Sequence, residues 1–466
     1  MVTAIESILY PFVVKFNEYL SNYILVFLLV GVGLWYTIKT RFVQIRCFKE
    51  GIYNSFGHPR WFGEKDENSV SPFQALTTAI AAQVGTGNIV GASAAILVGG
   101  PGAVFWMWVI AFFGMATIYA EAVLAVKTRI VEKDGTIKGG PVYYITTAFR
   151  DKLGKYLAAF FAIAIILALG FMGCMVQSNS ISYTMQTAFG ISPWIVGVIL
   201  VILSGIVFIG GVRRLASVTE KLVPVMAATF LIGAFFVLTI RYNYLFETFK
   251  MIFQYAFEPQ AIIGGGFWYA IKTAVSQGAK RGLFSNEAGM GSTPHIHALS
   301  RAKTPHEQGT IAMMGVFVDT FVVLTLNALV IISTLYTSDG LLSNGYTGAV
   351  TEILNKTNLV QTAFGSIMGS HLGAIFVAVC LCFFAFSSIL CWNFFGKINT
   401  VYLFRRGNDK KAVFTYTLVS LCFIMMGSLV SSDLVWELTD MFNNLLVIPN
   451  VLALFALTNI VVNKCK

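Results

Sequence analysis

The chain of 466 residues is 56% hydrophobic and only 12% charged, and its mean hydropathy is +0.74. A water-soluble globular domain carries about a quarter charged residues, so the composition excludes one and points to a polytopic helical membrane protein. The net charge of +10 does not call for a nucleic-acid partner, because topology and anionic membrane lipid account for it.

Apolar runs predict an all-α fold of about eleven transmembrane helices. They lie at residues 17–38, 69–98, 103–126, 156–188, 192–210, 222–240, 262–292, 311–336, 366–395, 412–432 and 437–463. The first run lacks a basic leading segment and is followed by Lys39 and Arg41, so it reads as a retained helix rather than a cleaved signal. With loops assigned to alternate sides, one side collects most of the 32 lysines and arginines, among them Arg46, Lys133, Arg150, Arg213, Arg301 and Arg405. The other side keeps Lys15, Arg241, Lys250 and Lys356. That bias places the N-terminus outside and the C-terminus in the cytoplasm. The aromatic stretch 242–259 reads as lying along the outer interface, and a short helix is expected near 349–354.

The second span is interrupted at Gln83-Val84-Gly85-Thr86-Gly87-Asn88. Hydrocarbon offers no water to free peptide groups, so such a break persists only where protein or a wet cavity covers it. Unwinding at two glycines frees amides suited to a carboxylate and carbonyls suited to a small hard cation. The competing interpretation is a small-residue packing notch against a neighbouring helix. The seventh span carries a matching interruption, the stretch from Thr273 to Gly289, in which Ser276, Gln277 and Gly278 can line a cavity and Lys280 and Arg281 follow in what should be hydrocarbon. The two breaks stand five spans apart and so run antiparallel. That offset predicts a five-plus-five inverted repeat, residues 69–240 and 262–463, preceded by one extra helix at 17–38.

Other polar groups inside spans are costly there and thereby candidates. Arg281 is expected to pair with Glu287, and Glu121 with Lys127. Asp319 has three readings: a lysine partner, a proton carrier or a counter-ion to a cation. Ser387 and Ser388 either bond back to their own helix or supply hydroxyls to a cation. Trp392, one turn beyond Ser388, would cap a small pocket. Gln177 sits in the fourth span beside Phe171, Met172 and Met175. Seven cysteines show neither disulfide nor zinc spacing, and His295 with His297 point to different helix faces, so neither set reads as a metal site. No nucleophile with a partnered base suggests an enzyme, and no repeated filter suggests a channel.

The segments Gln83-Val84-Gly85-Thr86-Gly87-Asn88-Ile89-Val90-Gly91 and Arg281-Gly282-Leu283-Phe284-Ser285-Asn286-Glu287-Ala288-Gly289-Met290-Gly291-Ser292 resemble the signatures of the alanine/glycine:cation symporter family. Gly139-Gly140-Pro141, Tyr143-Tyr144 and the Ser387-Ser388 span extend the resemblance over nearly the whole chain. It implies a leucine-transporter-like inverted-repeat fold, a bacterial or archaeal plasma membrane, and sodium-coupled uptake of alanine or glycine. Carried onto this chain, it implies sodium ligands from the carbonyls of Ala81, Val84 and Phe384 and the hydroxyls of Ser387 and Ser388. The amides of Gly85, Thr86 and Gly87 would hold the substrate carboxylate. Thr273, Ser276 and Gln277 would meet the ammonium. Trp392, Phe171 and Met175 would close the side-chain pocket. Gln177 stands where related folds often place a tyrosine hydroxyl.

Overall fold

The computed structural model describes residues 2–57, 69–258, 266–343, 354–405, 407, 409–430 and 433–465. Eight helices are long and apolar enough to cross a membrane: α1 (Leu9–Lys39), α3 (Ala103–Thr128), α4 (Lys152–Phe189), α6 (Gly211–Ile240), α8 (Pro305–Tyr336), α9 (Ser370–Phe404), α10 (Asp409–Leu429) and α11 (Asp433–Ala456). A ninth, α2, is a bent pair, Pro72–Gln83 and Gly87–Gly99, whose halves meet at 46°. Two further predicted spans correspond to α5 (Pro193–Ile209) and α7 (Phe267–Asn286). α5 is apolar but only 17 residues long. α7 is 20 residues long and polar, since it carries Lys272, Lys280 and Arg281. The only ladder among the described residues is a two-residue antiparallel pairing of Ile130–Val131 with Ile137–Lys138.

α2 starts from a reciprocal cap. The Ser71 hydroxyl accepts from the Gln74 amide, the Gln74 side chain accepts from the Ser71 amide, and Pro72 occupies the first helical position. The first half ends where Val84 leaves helical geometry (φ −77°, ψ 89°), and the second resumes through a wide π-helical turn, Gly87–Gly91. α7 runs antiparallel beside α2. Ala274 and Gln277 face Gly99, Arg281 and Phe284 face Gly91, and Ser285 faces Gly87. The approach is close at both glycines of the break. A Cβ at Gly87 would sit 2.9 Å from the Ser285 Cα, and one at Gly85 would overlap the Ser388 hydroxyl.

The second interruption falls at the C-terminal end of the expected stretch 273–289. α7 is continuous through Lys280 and Arg281, because both cations find acids on α11. Lys280 Nζ is 2.7 Å from Asp440 and 3.5 Å from Glu437, and Arg281 Nη1 is 3.3 Å from Asp440. The expected Arg281–Glu287 pair is therefore replaced. The chain leaves the helix only at Glu287 (φ 57°), then turns at Gly289 (φ 93°) and Gly291 (φ 77°), where positive φ favours glycine. Glu121 does not turn to Lys127. It accepts from the Gly289 and Gly291 amides at 3.3 and 3.1 Å and from Asn450 at 2.6 Å, while Asn450 also donates to the Gly289 carbonyl at 2.9 Å. A buried carboxylate thus holds the unwound segment in place of helical hydrogen bonds.

The aromatic stretch after α6 forms a helix, Leu245–Phe257, which buries Met251 and Ile252 and exposes Phe246 and Phe253. The start expected for the seventh span, near 262, and most of the short helix expected at 349–354 lie outside the described residues. A separate helix, Leu359–Met368, precedes α9, and the chain turns between them at Gly369 (φ 90°).

At the ends of α6 and α8, Arg241 donates two bonds to Asp339 at 2.6 and 2.7 Å and others to the Ser333 carbonyl and Thr337 hydroxyl. The guanidinium holds the Asp339 carboxyl well below the usual carboxylate range. A depressed value means the clamp stabilises the fold above the ordinary carboxylate pKa of about 3.9 and loses that contribution as pH falls through the depressed value. Because Asp339 is half exposed, the contribution is about 0.5–1 kcal/mol. Asp339→Asn should lower thermal stability by that amount at neutral pH, and melting curves of the two proteins should converge on acidification. A gap that is constant or widens below pH about 3.9 refutes the clamp's electrostatic origin.

Candidate functional site

The break in α2 is covered on every side. The Gly85 amide donates to Asn88 Oδ1 and the Thr86 amide to Gln177 Oε1, both at 3.1 Å. Side-chain amide oxygens thus occupy the places a carboxylate would take at these donors. Gln177 Nε2, the Thr86 hydroxyl and Gln83 Oε1 are buried beside the break with no hydrogen-bond partner among the described residues. Each such group costs about 1–3 kcal/mol unless a ligand or water meets it. Three of them surround one unwound turn.

On the α9 side, Ser387 and Ser388 form a shelf beneath the first half of α2. Ser387 Oγ reaches the Ala81 carbonyl at 3.2 Å and Phe384 at 2.8 Å. Ser388 Oγ reaches Ala81 at 3.1 Å, Ala82 at 3.3 Å and Phe384 at 3.1 Å. Each hydroxyl bonds back to its own helix and also faces α2. Five neutral oxygens, the Ala82 carbonyl among them, therefore lie in one hydrogen-bonded cluster. Val84 ends the helix beside it.

Asp319 lies in a wide turn of α8, Phe317–Leu324. Its carboxylate accepts from Asn88 Nδ2 at 2.7 Å, Ser285 Oγ at 2.9 Å and Thr320 Oγ1 at 2.8 Å. These partners are neutral, and no lysine joins them. Asn327 in turn donates to the Asn88 carbonyl at 2.7 Å. Asp319 thus bridges the break of α2 to the end of α7.

Trp392 is fully buried. Its indole packs on Gly173 at the end of a wide turn in α4, meets the Phe284 ring edge-on at 5.9 Å, and donates to Glu287 Oε1 at 2.5 Å. The Ser292 hydroxyl donates to the other Glu287 oxygen. Since Phe284 also lies against Gly87, Trp392 is coupled to the α2 break through one ring.

The remaining predicted residues divide. Gln177 stands at the break. Phe171 turns away, stacked on Tyr416 and Phe423 of α10 at 5.6 and 4.8 Å. Met175 lies with its backbone against Gly427 of the same helix. Gly170 of α4 and Gly427 of α10 let the two helices close together. Thr273, Ser276 and Gln277 line a separate cavity of about 360 Å³ with Asn17, Glu18, Tyr269, Lys272 and Lys280. One turn deeper on α7 come Lys280 and Arg281 with Asp440, and one turn deeper again Phe284 with Trp436, their rings 5.6 Å apart. The cavity is therefore separated from the α2 break by an ion-pair layer and an aromatic layer. Asp440, Glu437 and Asn450 escaped sequence reasoning. The first two were legible by the same cost argument that singled out Asp319, since both fall within the eleventh predicted span. The two buried histidines after α7 are occupied separately, His295 by Ser292 and Asn399 and His297 by Gln308.

A helix broken in mid-span, packed antiparallel on a second interrupted helix and faced by paired hydroxyls, defines a multi-pass membrane transporter rather than an enzyme. The chain belongs to the sodium:alanine symporter family, whose profile matches residues 6–466. It is 37% identical to the sodium/alanine symporter AgcS of Methanococcus maripaludis over 97% of this chain and 95% of that one. It is also 37% identical to the putative sodium/proton-dependent alanine carrier protein YrbD of Bacillus subtilis, over 96% and 90%. To the probable sodium/glutamine symporter GlnT of Bacillus subtilis it is 35% identical, over 97% and 88%. Among solved structures, that of MhsT in complex with L-phenylalanine superposes with a TM-score of 0.58 at 16% identity, covering 84% of this chain and 90% of the other. The inverted-repeat fold is thereby shared, and the chain is an amino-acid transporter.

Gly85→Ala should force α2 off α9 at Ser388, a strain of about 1–3 kcal/mol. Transport in cells with unchanged surface expression should fall at least tenfold, and normal uptake would remove the close approach from the account. Asp440→Asn leaves Lys280 and Arg281 without their buried partner, at a cost of about 3 kcal/mol. Its thermal stability should drop markedly, and Lys280→Met in the same chain should restore part of it. Additive losses in the double variant would count against the ion-pair layer.

Proposed function

We propose that the protein is a sodium-coupled symporter that imports alanine or glycine across the plasma membrane by alternating access, with its N-terminus outside and its C-terminus in the cytoplasm. The observation that carries this reading is the convergence of the Ser387 and Ser388 hydroxyls with the Ala81, Ala82 and Phe384 carbonyls beside the Gly85–Thr86–Gly87 amides. Five neutral oxygens suit a sodium ion, because a monovalent cation needs little counter-charge. The adjoining amides suit a carboxylate, whose charge is attractive to an ion held one turn away. Sodium entering the shelf orders the end of the first half of α2. The substrate carboxylate then takes the Gly85 and Thr86 amides from Asn88 and Gln177, and Gln177 Nε2 gains an acceptor.

The cavity lined by Thr273, Ser276 and Gln277 serves as the outer vestibule, through which the amino acid passes toward the layer at Lys280, Arg281 and Asp440. Those three side chains act on the path in rather than on the bound ammonium. Trp392, held by Glu287 and Phe284, bounds the space below Gly87 and favours small side chains. Ligand and ion share one conformational free energy, so each raises the affinity for the other. The relatives named for sodium/alanine and sodium/glutamine symport support the class of substrate and ion.

A second reading rests on Asp319. Its buried carboxylate, with neutral partners reaching from α2 and α7, is placed to carry a proton between two conformations. Proteoliposomes decide between the readings. Labelled alanine should accumulate under an inward sodium gradient and not under an inward proton gradient at equal sodium. Accumulation that follows pH alone would overturn sodium coupling. Ser388→Ala should raise the half-saturating sodium concentration about tenfold, as expected for the loss of one oxygen worth about 1–1.5 kcal/mol, with less change in maximal rate. Unchanged sodium activation in that variant would remove the shelf as the ion site.

A further inference from the structure

Away from the transport path, on the face that also carries Arg301 and Lys303, three potential metal ligands converge. The chain leaving α1 forms a short helix, Phe48–Ile52, that lies flat on α8. A Cβ at Gly51 would touch the Thr310 carbonyl at 2.9 Å. From this helix and the residue before it come Glu50 and Cys47, and from the first turn of α8 comes His306. The Cys47 sulfur, a Glu50 oxygen and a His306 ring nitrogen all lie within 4.8 Å of one another.

The geometry at His306 separates two explanations. Nδ1 is 2.6 Å from the Tyr119 hydroxyl of α3, a full hydrogen bond. Nε2 is 3.3 Å from both Glu50 oxygens. A charge-assisted hydrogen bond would be about 2.7–2.9 Å. Two ligands bound to one tetrahedral zinc at about 2.0–2.2 Å stand about 3.4 Å apart, which is the separation found. A plain Tyr119–His306–Glu50 chain also leaves a buried thiol at the same point without a role. Tyr119 supplies what ligating histidines generally have, a polar partner on the far nitrogen that fixes the ring.

We propose that Cys47, Glu50 and His306 form a binding site for a divalent metal ion of the zinc class, which clamps the Phe48–Ile52 helix onto α8. Binding displaces the Cys47 thiol proton to solvent and leaves His306 neutral, with Nε2 on the metal and Nδ1–H directed at Tyr119. Glu50 also lines a cavity of about 300 Å³ shared with Asn54, Lys303 and Glu307, so the fourth position is open to water. The ligands lie 256 residues apart in sequence at Glu50 and His306, beyond the reach of any spacing rule.

Cobalt titration of the purified, reduced, full-length protein tests the site. One equivalent of Co²⁺ should produce a thiolate-to-cobalt charge-transfer band, and Zn²⁺ should displace it. The band should vanish in Cys47→Ser, persist in Cys465→Ser, and need at least tenfold more cobalt in His306→Gln and in Glu50→Gln. Elution profile and melting curve establish that each variant is folded. Absence of the band in the native chain, or its survival in folded Cys47→Ser, overturns the proposal. Sodium and alanine binding do not enter the readout, so the result stands apart from the transport reading.

Discussion

The structure depends on one constraint: peptide groups freed in the middle of a bilayer must find partners that are not water. α2 releases them at Val84 and Gly85, and α7 releases them after Asn286. Each release is met by side chains from other helices. Gln177, Asn88, Ser387 and Ser388 meet the first, and Glu121, Asn450 and Gln83 meet the second. The partners differ in charge. Neutral groups bond the freed peptide groups of the α2 break directly, with the Asp319 carboxylate one step away through Asn88, whereas a carboxylate grips the amides of the α7 break. A neutral surround can exchange its hydrogen bonds for those of a zwitterion and a cation at little cost. A carboxylate gripping two amides and an amide side chain is a fixture.

That difference separates a moving part from an anchor. Glu121 on α3 and Asn450 on α11 hold the unwound segment after α7 from two directions, so it cannot be reshaped without burying an unpaired charge. The α2 break rests on Gln177, whose Nε2 has no partner among the described residues, and on Asn88, which is shared with Asp319 and Asn327. Wide helical turns occur beside all of these contacts: Gly87–Gly91 in α2, Ile166–Gly173 in α4 and Phe317–Leu324 in α8. Each turn leaves backbone that can tighten by one residue, which lets helices shift without separating.

Much of this was legible in the sequence, and the reason is local. The α2 break is written in two glycines within three residues, flanked by amide side chains, and needs no distant partner to be recognised. The helices themselves follow from long apolar runs. The α7 break falls inside the polar stretch 273–289, but a distant partner decides where in that stretch the helix ends. Ser276, Lys280 and Arg281 look like an interruption until Asp440 and Glu437 neutralise them from a helix far along the chain. The turn itself, at Glu287, Gly289 and Gly291, carries its own glycine signal. Phe171 and Met175 are placed by a distant partner as well. Their sequence neighbourhood fixes the helix, while Tyr416, Phe423 and Gly427 of α10 meet it along the seam.

The same logic explains why α7 grades from solvent to site in single turns. Thr273 and Gln277 meet the cavity, Lys280 and Arg281 the acids of α11, Phe284 the indoles of Trp392 and Trp436, and Ser285 the carboxylate bridged to Asn88. Polar, ionic, aromatic and hydrogen-bonding layers follow one another along a single rod. A displacement of α7 relative to α11 would break the ionic layer first, because it is held by point contacts. The aromatic layer is held by area and would yield last. Opening from the cavity side therefore requires the ion pairs to part before the rings slide, and a zwitterion offers both charges needed to separate them. On the path proposed above, its carboxylate would compete for Lys280 and its ammonium for Glu437, which a simple acid or amine could not do together.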